Sequence, residues 1–313
     1  MAAFDDALIK STELNPAPVV GFTRLRRGIH VHSDEWAAHH VEGRQRMRAH
    51  AVAASAHRPP VFSHLTAAAA WSLAIFASRD TRAHVIERGD NPAKSRGDVV
   101  RHSVPLPDAD IAMLDGLLVT TLDRTVYDVI RMLPLEGGLA AFDAALRRVA
   151  WEDDSHTIDR EASDAFRAAV WRRVFANPGA RGIRRARLVT ELADGGAQLP
   201  GESVSRYRMW ELQMPAPQLQ RPVLTDIGLT YLDFAWPRLR LFGEFDGAVK
   251  LVDPVFTRGR RPAEIVRDQA ARRAAIERAT GWTGMTWGMP ALNDAGTFLS
   301  TLLAQGWPSS YRP

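Results

Sequence analysis

The 313-residue chain contains no cysteine. Disulfide bridges, iron–sulfur clusters and zinc sites built on thiolates are therefore excluded. The ten histidines show no metal-site spacing, either in the pair His39-His40 or in the alternation of His30 and His32. We therefore interpret the histidines as structural or solvent-facing residues.

Long apolar runs are also missing. The most apolar window, residues 65–76, has twelve residues, which is too short to span a bilayer and predicts a buried helix. Ser63 is its expected N-cap, and His64 is expected to be a hydrogen-bonded core or cap residue. Because residues 1–10 also lack a signal-peptide pattern, we expect a cytoplasmic protein with no membrane partner.

Lysine is scarce, since only Lys10, Lys94 and Lys250 stand among 40 basic residues in a chain of net charge +4. A GC-rich genome explains the excess of arginine and alanine, and a phosphate-binding surface is the functional alternative. The strongest basic patch covers residues 159–193, which predict two helices. A solvated helix face is the simpler interpretation of this patch. No glycine-rich phosphate loop is present, which argues against an ATPase or GTPase.

Composition and length predict a globular protein with two domains. The hydrophobic fraction is 46% and the charged fraction is 24%, as in soluble proteins with ordinary cores. We place a first domain at 1–155, a basic helical linker at 156–197 and a second domain at 198–313. The second domain has the predicted order αβββαβα, which indicates an α+β or α/β fold with a mixed sheet flanked by helices.

Residues 117–133 predict a strand that runs into a helix. Arg124 and Asp128 lie one helical turn apart in this segment. Side chains four residues apart face each other on a helix, so we expect an ion pair between them.

Carboxylates follow the apolar run in LRLFGEFDGAVK, residues 239–250. A hairpin with the preceding strand, in which Trp236 lies opposite Leu241, places Asp233 directly opposite Glu244. Strand alternation then puts Asp246 on the same face as Asp233 and Glu244.

Carboxylates on one face repel one another, and a divalent cation such as Mg²⁺ would relieve this repulsion. The cation would serve as Lewis acid and water activator in phosphodiester hydrolysis. Glu202 is a possible fourth oxygen ligand, or an acid favoured by the helix dipole. Lys250 is placed to contact a phosphate or the nucleophilic water, or to face solvent. The alternative for the whole cluster is an edge strand whose acids pair with arginines such as Arg240.

The segments ESVSRYRMWELQMPAPQLQ and LDFAWPRLRLFGEFDG resemble a domain-of-unknown-function family related to very-short-patch-repair endonucleases. That family belongs to the PD-(D/E)xK restriction-endonuclease-like superfamily, and the resemblance covers roughly residues 198–290. It implies that Asp233 is the motif aspartate, Glu244 the second metal-binding carboxylate and Glu202 the helix glutamate. Asp246 stands where the superfamily has its lysine, and Lys250 is the nearest lysine.

The resemblance implies a restriction-endonuclease-like fold and a Mg²⁺-dependent DNA endonuclease. The implied catalytic residues are Asp233, Glu244, Asp246 and Lys250, and the implied metal ligands are Glu202, Asp233, Glu244 and Asp246. In the next helix many relatives carry Glu-Lys-x-Arg, where this chain has Gln269, Ala270, Ala271 and Arg272.

The first domain carries RRGIHV, FSHLTAAAAWSL, LVTTLDRTVYDVIRML and FDAALRR. These segments resemble the AbiEi-type antitoxin and regulator proteins of type IV toxin–antitoxin systems, which are widespread in actinobacteria. The resemblance covers roughly residues 22–150 and implies part of a winged-helix module, with RRGIHV as the wing. It implies DNA and a toxin protein as partners. One alternative to a nuclease is thus a non-catalytic DNA-binding transcriptional regulator or antitoxin. Another is a protein-interaction partner of a toxin, in which the nuclease-like domain is only a scaffold.

Overall fold

The computed structural model describes residues 8–10, 20–87, 95–246 and 261–309. Helices and mixed sheets combine in it, so the α+β prediction is confirmed. The chain forms two compact units, the first from Met1–Val149 with Glu161–Ala193 and the second from Ala150–Arg160 with Asp194–Pro313. The segment 156–197, predicted as a linker, is thus divided between the units. No helix of the described residues has the length and apolar character needed to cross a bilayer.

The first unit contains two sheets. An antiparallel sheet of order β1-β3-β2 is formed by β1 (Ile9–Lys10), β2 (Phe22–Arg26) and β3 (Ile29–His32). A mixed sheet of order β6-β5-β4-β8-β7 is formed by β4 (Val61–Phe62), β5 (Ala83–Ile86), β6 (Val99–His102), β7 (Ile111–Leu114) and β8 (Leu117–Thr120). The antiparallel pairing of β2 with β3 provides the hairpin expected from RRGIHV.

The described residues of the first unit also form helices. They are α1 (Ser33–Ala38), α2 (Val41–Ser55), α3 (His64–Ala70), α4 (Leu122–Met132), α5 (Leu135–Ala150), α6 (Arg160–Ala176) and α7 (Ile183–Leu192). Phe62, Val85 and Val119 from the strands form a core with alanines of α2 and α3. The short alanine side chains let these helices lie close to the strands.

Helix α3 is shorter than the predicted helix over 65–76. It ends at Ala70 because Ser72 takes a left-handed conformation, with φ 59°. The amide of Leu73 then donates to the carbonyl of Ala68 at 2.8 Å, which satisfies a helix-end carbonyl. Ser63 lies at the predicted N-cap, but its side chain makes no capping hydrogen bond.

A buried network of ion pairs joins α4 and α6. Arg124 donates to Asp128 at 3.0 Å and to Asp110 at 2.9 Å, so the predicted Arg124–Asp128 pair is confirmed. Arg173 donates to Asp110 at 2.6 Å and to Asp123 at 2.7 Å. Burial raises the pKa of the Asp128 carboxyl to about 6, against the opposing effect of Arg124.

The basic patch over 159–193 is partly structural. Arg167 donates to the carbonyl of Thr190 at 3.0 Å, and Arg185 donates to that of Arg131 at 2.6 Å. Other arginines of this segment are exposed, namely Arg172, Arg181 and Arg184. Only part of the charge anticipated from the sequence is therefore presented to solvent.

After Asp194, the described residues of the second unit have the predicted order αβββαβα. Its elements are α8 (Pro200–Glu211), β11 (Gln218–Thr225), β12 (Gly228–Trp236), β13 (Leu241–Phe245), α9 (Pro262–Thr280), β14 (Thr283–Trp287) and α10 (Ala295–Leu303). The sheet has the order β11-β12-β13-β14, antiparallel except for the parallel pair β13–β14. A small hairpin from the earlier segment of the unit comprises β9 (Trp151–Glu152) and β10 (Thr157–Ile158).

Candidate functional site

Strands β12 and β13 pair in the register predicted from the sequence. Trp236 lies opposite Leu241, and Phe234 lies opposite Gly243. Asp233 and Glu244 occupy the next position on each strand, but the regular pairing of β12 with β13 ends at Phe234 and Gly243 and does not include them.

Regular pairing is interrupted around Asp233. Its Oδ2 accepts a hydrogen bond from the backbone amide of Phe245 at 3.0 Å. On the other neighbouring strand Gln220 has φ 48°, between the paired residues Leu219 and Arg221. Such a conformation costs about 1–3 kcal/mol for a residue with a Cβ and is typical of binding sites.

A row of polar side chains crosses the sheet at this level and lines a cavity of about 790 Å³. The row consists of Gln220 on β11, Asp233 on β12, Glu244 on β13 and Thr286 on β14. Helix α9 contributes Gln269, Arg272 and Arg273 to the cavity wall, and the β9–β10 hairpin contributes His156. The His156 ring stacks on Tyr231 with centroids 4.3 Å apart. We call this cavity the cleft.

Arg272 compensates the charge of Glu244. Its Nη1 lies 2.5 Å from the Glu244 carboxylate, and it also donates to the hydroxyl of Thr230 and the carbonyl of Tyr231. Arg240, the arginine suggested from the sequence as a partner of the acids, donates instead to the carbonyl of Gly281 at 3.2 Å. The arginine that pairs with Glu244 therefore comes from helix α9.

The remaining predicted site residues are Asp246, Glu202 and Lys250, and only Asp246 is found in the lining of the cleft. Asp246 follows β13, lines the cleft and accepts a hydrogen bond from Gln269 at 3.2 Å. Glu202 is buried outside the cleft lining and accepts from the backbone amide of Gln198 at 2.8 Å. Gln198 in turn donates to Gln220 at 2.9 Å. Lys250 lies outside the described residues.

The cleft contains hard oxygen donors that fit Mg²⁺, which usually binds through one or two carboxylates and keeps several waters. Asp233 and Glu244 are the two that lie at the same level of adjacent strands. Within the described ranges, however, the carboxylates do not form a group of three with ligand atoms within 4.8 Å of one another. A cation here would thus be held by fewer than three of these carboxylates at once.

A cluster of histidines in the first unit does bring three possible ligand atoms together. One ring nitrogen from each of His64, His84 and His102 lies within 4.8 Å of the other two. His64 contacts the Ser63 hydroxyl at 3.0 Å, so its expected hydrogen bond is confirmed. The cluster itself was not anticipated, because its members come from three separate elements and no short spacing relates them.

Comparisons with known proteins assign no activity to this chain. No protein-family model matches it, and no solved structure matches it. Two proteins of Mycobacterium tuberculosis, from strains CDC 1551 and H37Rv, are each 30% identical to it over 201 residues and are described only as uncharacterized. The matched region covers 64% of this chain and 64% of each relative.

Proposed function

We propose that the cleft is the active site of a DNA endonuclease in which Asp233 and Glu244 hold a divalent cation such as Mg²⁺. The observation that supports this most directly is their position on adjacent strands, beside the interrupted pairing and facing the cavity. When bound, the cation would stabilise charge on the phosphate and activate a water for hydrolysis.

The arginines of α9 suit a phosphate substrate. Arg272 and Arg273 both line the cleft, and guanidinium groups match the oxygens of a phosphodiester. Arg272 is held by Thr230 and Tyr231 as well as by Glu244. Its position is therefore maintained when Glu244 turns toward a cation, and its charge becomes available to the phosphate.

The other residues have supporting roles in this proposal. Asp246 would contact the hydrated cation through water, while Gln269 orients its carboxylate. Glu202 would act indirectly, because it holds the Gln198 amide and Gln198 holds Gln220 beside Asp233. Lys250 stays a candidate for contacting the phosphate or the water.

A nicking assay on supercoiled plasmid DNA, with Mg²⁺ or Mn²⁺, tests the proposal. We expect cleavage by the unmodified chain and a loss of at least ~100-fold in rate for Asp233→Asn and Glu244→Gln. Asp226→Asn is the matched control, since Asp226 is an exposed acid in the turn between β11 and β12, paired with Arg278. If supercoiled, linear and single-stranded DNA all stay intact and calorimetry detects no cation binding at the cleft, the enzyme proposal is wrong.

A second candidate is a non-catalytic DNA-binding regulator or antitoxin. It is favoured by the Glu244–Arg272 ion pair, which satisfies the carboxylate with a protein cation. The exposed arginines of the segment Glu161–Ala193 would supply the phosphate contacts.

A gel-shift titration with the chain's own promoter DNA over a range of salt concentrations tests this candidate. We expect affinity to fall with salt, and each Arg→Gln change at Arg172, Arg181 or Arg184 to reduce the salt slope by about 1 if that residue contacts a phosphate. Absent or salt-insensitive binding would contradict it. Co-purification with the product of a neighbouring gene tests the toxin partner separately.

A further inference from the structure

The histidine cluster of the first unit joins three elements. His64 begins α3, His84 lies in β5, and His102 ends the parallel neighbour β6. Nδ1 of His84 lies 3.0 Å from Nε2 of His102. The His64 ring stacks on the His102 ring with centroids 3.7 Å apart. Three imidazoles from distant parts of the sequence are therefore brought to one point.

The surroundings of His84 orient its ring. His84 is 1% exposed, and its Nε2 faces the Asp80 carboxylate at 3.5 Å. Asp80 is itself fixed by Arg82, whose Nη2 lies 2.7 Å away. A carboxylate beside one ring nitrogen favours the proton there. The lone pair of Nδ1 then points toward His102, as in histidines that bind metal ions.

We propose that His64, His84 and His102 bind a divalent transition-metal ion, with Zn²⁺ as the best match. Imidazole is a favoured ligand of Zn²⁺, and three histidines with water in the fourth position form a known type of zinc site. Mg²⁺ is a poor match because it prefers oxygen ligands.

The dimensions of the cluster suit such an ion. Zn–N bonds of about 2.0–2.1 Å in a tetrahedral site place ligand nitrogens about 3.3 Å apart. The His84–His102 pair, at 3.0 Å, is already near that separation. The stacked His64 ring would have to turn to direct its nitrogen at the ion. His102 is only half-buried, which leaves a path from solvent.

Calorimetry with Zn²⁺ alone, on the full chain without a polyhistidine tag, tests the proposal. We expect one equivalent to bind with a Kd of about 1 µM or tighter, and Co²⁺ to give the visible absorption of a tetrahedral site. His102→Asn should weaken Zn²⁺ binding by at least ~100-fold, and Asp80→Asn by about 10-fold or more. His57→Asn, which changes an exposed histidine between α2 and β4, should bind as the unmodified chain does.

Circular dichroism confirms that each variant is folded. If His84→Asn, which changes a buried residue, does not fold, Zn²⁺ binding by His102→Asn and His64→Asn tests the proposal. Failure of the unmodified chain to bind an equivalent of Zn²⁺ would overturn the proposal and leave a stack of neutral histidines. Undiminished binding by folded His102→Asn and His64→Asn would overturn it as well.

Discussion

Both units place arginines against carboxylates, but with different access to solvent. In the buried network Asp128 is 2% exposed and Arg124 is 8% exposed. In the cleft the side chains of Glu244 and Arg272 are 14% and 37% exposed, beside an open cavity. A buried carboxylate cannot exchange its arginine for another cation without leaving a charge unpaired. The same chemical pair is therefore a structural element in one unit and a potential binding element in the other.

The largest expected effect comes from breaking the buried network. Arg124→Met leaves Asp128 without its arginine, and loss of one partner of a buried pair costs about 3–5 kcal/mol of unfolding free energy. Hydrogen exchange of the α4 amides measures the change in the first unit. Arg278→Met removes the partner of the exposed Asp226 and should cost less than about 1 kcal/mol. Equal losses of unfolding free energy in Arg124→Met and Arg278→Met would contradict the contrast between the buried and the exposed ion pair.

The pH dependence of the buried network is the next largest effect. Because the pKa of Asp128 is raised to about 6 in the folded protein, the folded state binds more protons than the unfolded state between about pH 4 and pH 6. The contribution of Asp128 to the free energy of unfolding is therefore fully present below pH 4. It falls by on the order of 2–3 kcal/mol as pH rises to 6. The difference in unfolding free energy between the unmodified chain and Asp128→Asn, measured across this range, isolates the effect. The unfolding free energy of the unmodified chain minus that of Asp128→Asn should fall as pH rises from 4 to 6. A rise of this quantity with pH would contradict the prediction.

A smaller effect is expected where α8 packs beside the cleft. A Cβ at Gly201 would overlap the ring of Phe245, whose backbone amide donates to Asp233. We expect Gly201→Ala to cost about 1–3 kcal/mol through overpacking and to reduce cleavage, as measured by urea unfolding and the nicking assay. Gly228→Ala is not a suitable control, because Gly228 has φ 115°. Gly179, which has open space around its Cβ position, serves instead, and Gly179→Ala should change neither quantity.

The smallest effect on stability is expected in the cleft itself. Glu244→Gln removes one charge from a solvent-accessible pair while Arg272 keeps its contacts with Thr230 and Tyr231. The unfolding free energy should change by less than about 1 kcal/mol, whereas the proposed nuclease activity should be lost. A large destabilisation would mean that Glu244 serves the fold, as Asp128 does.

Local periodicity was enough to predict several features correctly. The turn at Pro237-Arg238 suggested a hairpin, and the pairing of Trp236 with Leu241 assumed for it is the register of the structure. Helical spacing gave the Arg124–Asp128 pair. The order of elements in the second unit followed from the apolar runs between turn residues.

Features that depend on distant contacts were not predictable. The histidine cluster requires β5 to lie beside β6, and the sequence does not specify that pairing. Arg272 was noted in the sequence, but its contact with Glu244 depends on how α9 crosses the sheet. The left-handed conformation of Gln220 has no sequence signal, since glutamine is ordinary in strands and only the fold imposes φ 48°.

The division of the chain has a consequence for its synthesis. The polypeptide passes from one unit to the other after Val149, after Arg160 and after Ala193. The hairpin that carries His156 therefore leaves the ribosome before the strands whose cleft it lines, and it cannot take its place until Tyr231 has been made. For the same reason, no single cut yields both units whole. A first unit expressed alone would need residue 149 joined directly to residue 161, with the hairpin removed from between them.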